Sequence, residues 1–224
     1  MTGLSERLHF IHERLEAAAR RSGRDPACVT LVAVSKTQPR ERIIEAHALG
    51  VRHFGENRVQ EALEKLASER PAGLVLHLVG HLQKNKVHRA AELFDAIDSL
   101  DSPELAKRLE LRAAELGRRM PVLIQVSLAC EATKYGLSET KLAPLVEAIG
   151  KSSSLELRGL MTLPPYDPDP EKARPYFARL RGLASQNGLE ELSMGMSHDY
   201  EVAVEEGATE VRIGQALFGP RAPV

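Results

Sequence analysis

The chain has 224 residues, of which 43% are hydrophobic and 27% are charged, a composition typical of a folded protein that buries a sizeable core. Its net charge of −1 gives no electrostatic reason to expect binding to nucleic acid or to an anionic membrane surface. Cys28 and Cys130 are too few for a disulfide framework, and no apolar stretch is long enough to span a bilayer. Charges stand near the N-terminus where a signal peptide needs an apolar run, so we expect a cytoplasmic protein.

The first predicted element is an amphipathic helix at the N-terminus. Apolar residues recur at helical spacing at Leu4, Leu8, Ile11, Leu15 and Ala18. The pattern predicts a helix over residues 4–21, and the turn-forming pairs Ser22-Gly23 and Asp25-Pro26 end it.

After this helix, short apolar runs alternate with longer amphipathic stretches. The runs predict strands over residues 29–35, 51–54, 74–79, 96–99, 121–128, 155–163, 191–196 and 210–213. The stretches between them predict helices over residues 40–49, 58–69, 86–94, 103–116, 139–149, 171–186 and 200–206.

This alternation is typical of parallel strands joined by crossover helices. Eight such units in a chain of this length predict a (β/α)8 barrel, a TIM barrel with an extra N-terminal helix. An open doubly wound sheet is the alternative, because periodicity does not report whether a sheet closes. The proline-rich segment 164–170 is interpreted as a loop, so we expect one domain over residues 1–224.

Lys36 directly follows the first predicted strand, at the end of the barrel that carries function in this fold class. An amine at the rim of a buried strand loses solvation, which lowers its pKa from about 10.4 and makes it a nucleophile for aldehydes. The alternative is a solvated lysine that ends a strand and does no chemistry.

Two turns of small residues follow the last two predicted strands, where barrels of this class bind phosphate. Ser197 stands where it would N-cap a helix that begins near His198, while Gly214 and Gln215 offer backbone N–H groups. The alternatives are a structural cap and a tight turn. With Lys36 at the same mouth, the pattern favours an aldehyde that carries a phosphate, and pyridoxal 5'-phosphate (PLP) is the obvious candidate.

Arg212 and Asn57 are further candidates for contact with such a cofactor. Arg212 precedes the end of strand 8, where its guanidinium could face a ring nitrogen, and an exterior salt bridge is the alternative. Asn57 could contact the ring or its hydroxyl, although residues 55–57 also form an ordinary turn signal. No metal site is predicted, since His77, His81, His88 and His198 lack ligand spacing with cysteines or carboxylates.

Several sequence motifs resemble one family over nearly the whole chain. They are residues 32–37 (VAVSKT), 53–57 (HFGEN), 77–86 (HLVGHLQKNK), 134–136 (KYG), 158–161 (RGLM), 193–199 (SMGMSHD), 211–214 (VRIG) and 218–219 (FG). In this order they are similar to the pyridoxal phosphate homeostasis proteins, which resemble the N-terminal barrel of alanine racemase. Gln215 departs from the pattern, because the family more often has a small hydroxyl residue there.

The resemblance implies an alanine-racemase-like barrel with PLP bound as an imine to Lys36. It also implies phosphate contacts from the Ser197 and Gly214 turns, with Arg212 near the pyridine nitrogen. The expected function is a monomeric carrier that buffers PLP and has PLP-requiring apoenzymes as recipients, with no catalytic residue assigned. The alternative is a small PLP-dependent racemase or lyase. A racemase needs a second positioned proton-transfer group, and the barrel leaves only residues 220–224 to build one.

Overall fold

Eight parallel strands close into a barrel in this computed structural model, which describes residues 3–129 and 135–220. The strands are β1 (Thr30–Val34), β2 (His53–Glu56), β3 (Val75–Leu78), β4 (Ala96–Leu100), β5 (Met120–Gln125), β6 (Leu155–Met161), β7 (Glu191–Met196) and β8 (Glu210–Ile213). Each strand pairs with the next, and β8 pairs with β1. The predicted (β/α)8 barrel is therefore confirmed, and the alternative of an open sheet is wrong.

Helices surround the barrel and follow its strands. They are α1 (Leu4–Arg21), α2 (Arg40–Ala48), α3 (Val59–Leu66), α4 (Val87–Leu93), α5 (Pro103–Glu115), α6 (Leu142–Gly150), α7 (Arg174–Gln186), α8 (Tyr200–Glu205) and α9 (Gln215–Phe218). The extra helix α1 packs on α8 and α9 through the apolar residues that predicted it. Within the described ranges, no helix combines the length and apolar character that crossing a bilayer requires.

The prediction of β2 is wrong by two residues. The apolar pattern predicted residues 51–54, but the strand includes Gly55 and Glu56, which were interpreted as part of a turn. Glu56 is fully buried in the strand because Lys65 of α3 donates a hydrogen bond of 2.9 Å to its Oε1 atom. Burial of a carboxylate requires such a partner, and the partner lies on the next helix.

The inner and outer faces of the barrel wall differ in chemistry. Leu31 and Ala33 of β1 belong to the large apolar core, whereas Val32, Val34 and Val79 form a separate small cluster. Successive side chains of a strand point to opposite faces of the sheet, so alternate residues of β1 face the surrounding helices and the barrel interior. Polar side chains occupy much of the remaining interior: His53, His77, Asp98, Ser193, Glu210 and Arg212.

Replacement of Gly195 in β7 tests how closely α8 packs on the barrel. Gly195 has φ of +91°, and an added Cβ atom would lie 2.5 Å from Ala203 Cβ. We expect Gly195→Ala to lower the free energy of unfolding by about 2 kcal/mol or more, because overpacking and backbone strain add. Urea denaturation measures this value.

Gly182 of α7 supplies the matched control, since no heavy atom lies within 4 Å of an added Cβ atom there. Gly182→Ala should raise the free energy of unfolding by roughly 0.5–1 kcal/mol, because alanine favours the helix. Equal effects of the two substitutions would contradict the packing described for Gly195.

Candidate functional site

The predicted site residues lie at one end of the barrel. The strand registers pair Val34 with Gly55, Ala33 with Ile213, and Met196 with Arg212. Paired parallel strands end at the same rim, so the residues just after them meet there. Lys36, Asn57, Ser197 and Gly214 all follow within three residues of these pairs. The structure thus brings the predicted lysine and the two predicted turns to the same mouth.

Lys36 is half-buried in a turn with an unusual backbone. Thr37 has φ of +63°, which is a genuine outlier for a β-branched residue. Its N–H group donates a hydrogen bond of 2.6 Å to Glu61 Oε1, which stabilises this conformation. Backbone strain of this kind clusters at functional sites, and here it follows the candidate nucleophile directly.

A second lysine fixes this turn from the side of α3. Lys65 Nζ donates to the backbone oxygen of Ser35 at 2.8 Å and to Glu61 Oε1 at 2.6 Å, in addition to its bond with Glu56. Burial raises the pKa of Glu56 above its usual value. Burial also acts on Glu61, but hydrogen bonds from Lys65 and Thr37 hold its pKa below the usual value. The charges of this cluster therefore position the backbone on both sides of Lys36.

The turn after β7 differs from its prediction. Helix α8 begins at Tyr200 and is preceded by Asp199, so Ser197 is not its N-cap. Asp199 Oδ1 instead accepts a hydrogen bond of 2.6 Å from the N–H group of Met196. Ser197 Oγ accepts a bond of 3.1 Å from the N–H group of Ala216, which ties the β7 turn to the β8 turn.

These two turns present backbone donors that have no partner in the described part of the chain. They are the N–H groups of Ser197, His198, Gly214 and Gln215. An added Cβ atom on Gly214 would lie 3.3 Å from the backbone oxygen of Val34, so glycine allows β8 to end close to β1. Convergent N–H groups form a concave site for an anion. The Gln215 side chain is exposed, which leaves its backbone N–H group as the more useful donor.

Arg212 points into the barrel interior, so the alternative of an exterior salt bridge is wrong. Its side chain is buried, with Nη1 donating to Ser193 Oγ at 2.5 Å and Nη2 to the Thr162 oxygen at 2.8 Å. Burial lowers the pKa of Arg212, against the nearby acidic charges. The guanidinium is therefore fixed beneath the mouth with further N–H groups to donate.

Asn57 lines a cavity of about 630 Å³ on the β2–β3 side of the mouth. Arg58, His81, Lys86 and Tyr135 also line it. The ring of His81 stacks on Tyr135 with centroids 3.8 Å apart, and His81 Nδ1 lies 3.1 Å from Asp101 Oδ2. Lys134 and Cys130 lie outside the described residues.

An ionisable cluster lies on the barrel axis, and the sequence pattern did not predict it. His77, Asp98 and Glu210 each offer a ligand atom within 4.8 Å of the others, although they lie on β3, β4 and β8. Their sequence separation hides this spacing. The signal that could have found them is an ionisable residue inside an apolar strand, such as Asp98 in the run 96–100.

The cluster has the composition of a metal site, but a proton also satisfies it. His77 Nδ1 lies 2.9 Å from Asp98 Oδ2 and 3.7 Å from Glu210 Oε2. Burial lowers the pKa of His77, but the charge and hydrogen bond of Asp98, with smaller contributions from Glu210 and Glu191, raise it to about 9. A protonated histidine balances a buried carboxylate, so we assign no metal.

The protein is thus a barrel of eight parallel strands, with Lys36 and the turns after β7 and β8 at one end. Comparisons with known proteins identify the class of barrel. The family profile described as "Alanine racemase, N-terminal domain" matches residues 8–222. The pyridoxal phosphate homeostasis protein of Pseudomonas aeruginosa is 46% identical over 226 residues, covering 99% of this chain and 97% of the relative. The Aquifex aeolicus protein of the same name is 43% identical over 222 residues, covering 96% and 97%.

A solved structure agrees with these relatives. The PipY protein of Synechococcus elongatus, with PLP bound, superposes with a TM-score of 0.84 at 41% identity, over 97% of this chain and 100% of that one. The chain therefore belongs to the alanine racemase N-terminal domain family and, within it, to the pyridoxal phosphate homeostasis proteins.

The axial cluster predicts a pH dependence of stability. The folded protein holds the His77 proton up to a pKa of about 9, whereas the unfolded chain releases it near 6.5. The resulting stabilisation, roughly 3 kcal/mol, is complete below pH about 6.5 and is lost as the pH rises through about 9. Urea denaturation at a series of pH values measures it.

His77→Asn should flatten this dependence, while the exposed control His88→Asn should preserve it. The groups that face His77 are Asp98, Glu210, Glu191 and His53, and both variants retain these residues. The same slope of unfolding free energy against pH in wild type and His77→Asn would show that His77 is not protonated in the folded protein.

Proposed function

We propose that this protein binds PLP through an imine to Lys36 and buffers the cellular supply of this cofactor. The observation that carries the proposal is the juxtaposition of Lys36, at one rim, with backbone N–H groups that have no partner among the described residues. The bound cofactor supplies an aldehyde that combines with amines and a ring that withdraws electrons. Relatives named for PLP homeostasis, and a PLP-bound structural neighbour, support the proposal.

The two turns would hold the phosphate end of the cofactor. Four N–H groups point from the Ser197 and Gly214 turns without a partner in the described chain, and an anion would satisfy them. The bond between Ser197 and Ala216 fixes the two turns relative to each other. The donors are therefore arranged before any ligand binds, which lowers the entropic cost of binding.

Arg212 would face the ring nitrogen and determine the electronic character of the cofactor. A guanidinium stays protonated and only donates hydrogen bonds, so the ring nitrogen must remain an unprotonated acceptor. An unprotonated ring withdraws electrons weakly. This favours storage of the cofactor, or at most reactions that need little electron withdrawal, over demanding lyase chemistry.

The open cavity beside Asn57 also fits a carrier. Its volume of about 630 Å³ exceeds what one small amino acid needs, and a cofactor on Lys36 that faced this cavity would be open to water. Water weakens electrostatic control of a reacting centre. We further propose that the protein is a monomer in the cytoplasm and that it passes PLP to PLP-requiring apoenzymes.

One observation favours the alternative of a small racemase. His81 and Tyr135 line the same cavity, and the bond from His81 to Asp101 orients the imidazole. These side chains are candidates for the second proton-transfer group that a racemase needs.

Lys36→Ala should abolish the visible absorbance of the lysine-bound cofactor and leave the fold intact, because the change lies at the rim. Borohydride reduction of the wild type followed by peptide mapping should locate the cofactor on Lys36. Lys107→Ala on the exposed face of α5 is the control and should keep the absorbance. Persistence of the yellow species in Lys36→Ala would reassign the attachment site, with Lys134 the next lysine to test.

The purified protein with PLP should racemise alanine and other common amino acids no faster than free PLP does. Chiral chromatography of the amino acids after prolonged incubation measures this rate. Turnover well above the free-cofactor rate, lost in both Lys36→Ala and His81→Asn, would identify the protein as an enzyme rather than a carrier.

A further inference from the structure

A chain of hydrogen bonds continues from Arg212 toward the barrel axis, and the proposed function does not use it. Arg212 Nη1 donates to Ser193 Oγ at 2.5 Å, and this hydroxyl donates to Glu210 Oε1, also at 2.5 Å. A serine hydroxyl has one proton to donate, so its direction is fixed by this arrangement. Ser193 thus links the Glu210 carboxylate to the Arg212 guanidinium through two hydrogen bonds.

Further polar contacts continue this series from Glu210 to the opposite end of the barrel. Glu210 Oε2 lies 3.7 Å from His77 Nδ1, and His77 Nε2 lies 3.0 Å from Nδ1 of His53. His53 begins β2, at the amino-terminal end of the strands, and is half-buried. Strands β3 and β8 are not neighbours in the barrel, so these contacts cross its interior.

Buried ionisable groups of both signs lie along this series of contacts. Arg212 and protonated His77 are the cations, and Asp98, Asp199 and Glu210 are the acidic groups around them. Burial raises the pKa of Glu210 to about 7, against the charges of His77 and Arg212. All five side chains are buried, where an uncompensated charge is costly. Glu210 accepts a hydrogen bond from the Ser193 hydroxyl that in turn accepts from Arg212, and its other oxygen lies 3.7 Å from His77 Nδ1.

We propose that Glu210, acting through the Ser193 hydroxyl, is a positioning residue that holds the Arg212 guanidinium in place for the ring nitrogen of PLP. The inference rests on the proposed function. Cofactor affinity and the absorbance maximum of the bound cofactor then depend on a carboxylate that does not touch the cofactor.

Glu210→Gln tests the charge while it preserves the shape of the side chain. The dissociation constant for PLP should rise roughly tenfold, the value of a charge-assisted hydrogen bond. The absorbance maximum of the bound cofactor should also shift, because a displaced guanidinium no longer polarises the ring nitrogen. In ¹⁵N-labelled Glu210→Gln without cofactor, the guanidinium N–H protons of Arg212 should exchange with water faster than they do in the wild type.

Two further variants separate positioning from general destabilisation. Glu191→Gln alters a half-buried carboxylate of β7 that makes no hydrogen bond to Arg212 within the described residues, and it should leave all three readouts unchanged. In an Arg212→Lys background, Glu210→Gln should have no additional effect on affinity or spectrum, because its route to the cofactor is already removed. If Glu210→Gln does not fold, Ser193→Ala breaks the same link and should give the same shifts.

The outcomes are distinguishable. If the wild type forms no lysine-bound cofactor, the proposed function fails, and this inference with it. If the wild type binds normally and Glu210→Gln or Ser193→Ala matches it in affinity, spectrum and exchange, the inference alone is overturned. A stoichiometric metal ion in the wild type that is lost in Glu210→Gln would also overturn it, because Glu210 would then be a metal ligand.

Discussion

Strand β8 pairs with β1 in parallel, with Ala33 opposite Ile213, and this pairing closes the barrel. The pairing brings the first and the last strand of the chain side by side, so that residues nearly 180 positions apart share one rim. Lys36 follows β1 at this rim, and the Gly214 turn follows β8 beside it. Gly214 lacks a side chain that would press on the Val34 backbone, which lets the two turns approach. Without this closure, Lys36 and the turns after β7 and β8 would not lie at one end of the barrel.

The interior beneath this rim is polar, which is costly for a barrel core. Most of the apolar burial lies between the sheet and the helices, while ionisable groups occupy the axis. Removing one partner of such a buried pair costs about 3–5 kcal/mol, whereas a well-packed apolar replacement is often tolerated. A buried network of this kind often adds no stability over a well-packed apolar core. Its presence beneath Arg212 is best explained by what it does for that guanidinium.

The sequence predicted the parts of the fold that local periodicity determines. Helix α1 and strands β7 and β8 begin and end where the apolar pattern placed them, because each has one clear apolar face. The boundary of β2 was wrong because Glu56 is buried by a partner on α3, which no local pattern reveals. The cap at Ser197 was wrong because its hydroxyl accepts from Ala216 on the neighbouring turn.

The candidate site was predictable only at the ends of the strands. Lys36, Ser197 and Gly214 were found because barrel topology fixes where strand ends meet, and Arg212 was found without a decision between interior and exterior. The roles of these residues, and of Asn57 and Gln215, stay predictions. The axial cluster was missed because His77, Asp98 and Glu210 come from three strands, and their proximity depends on barrel closure and register. Such contacts are properties of the tertiary structure alone.

A crystal structure of the protein with PLP soaked into the crystals tests most directly whether Lys36 and the two turns form one cofactor site. We expect continuous electron density from Lys36 Nζ to the cofactor, the phosphate on the N–H groups of the Ser197 and Gly214 turns, and Arg212 at the ring nitrogen. A phosphate bound instead against Arg58 and Lys86 on the β2–β3 side, or a covalent bond to another lysine, would contradict it.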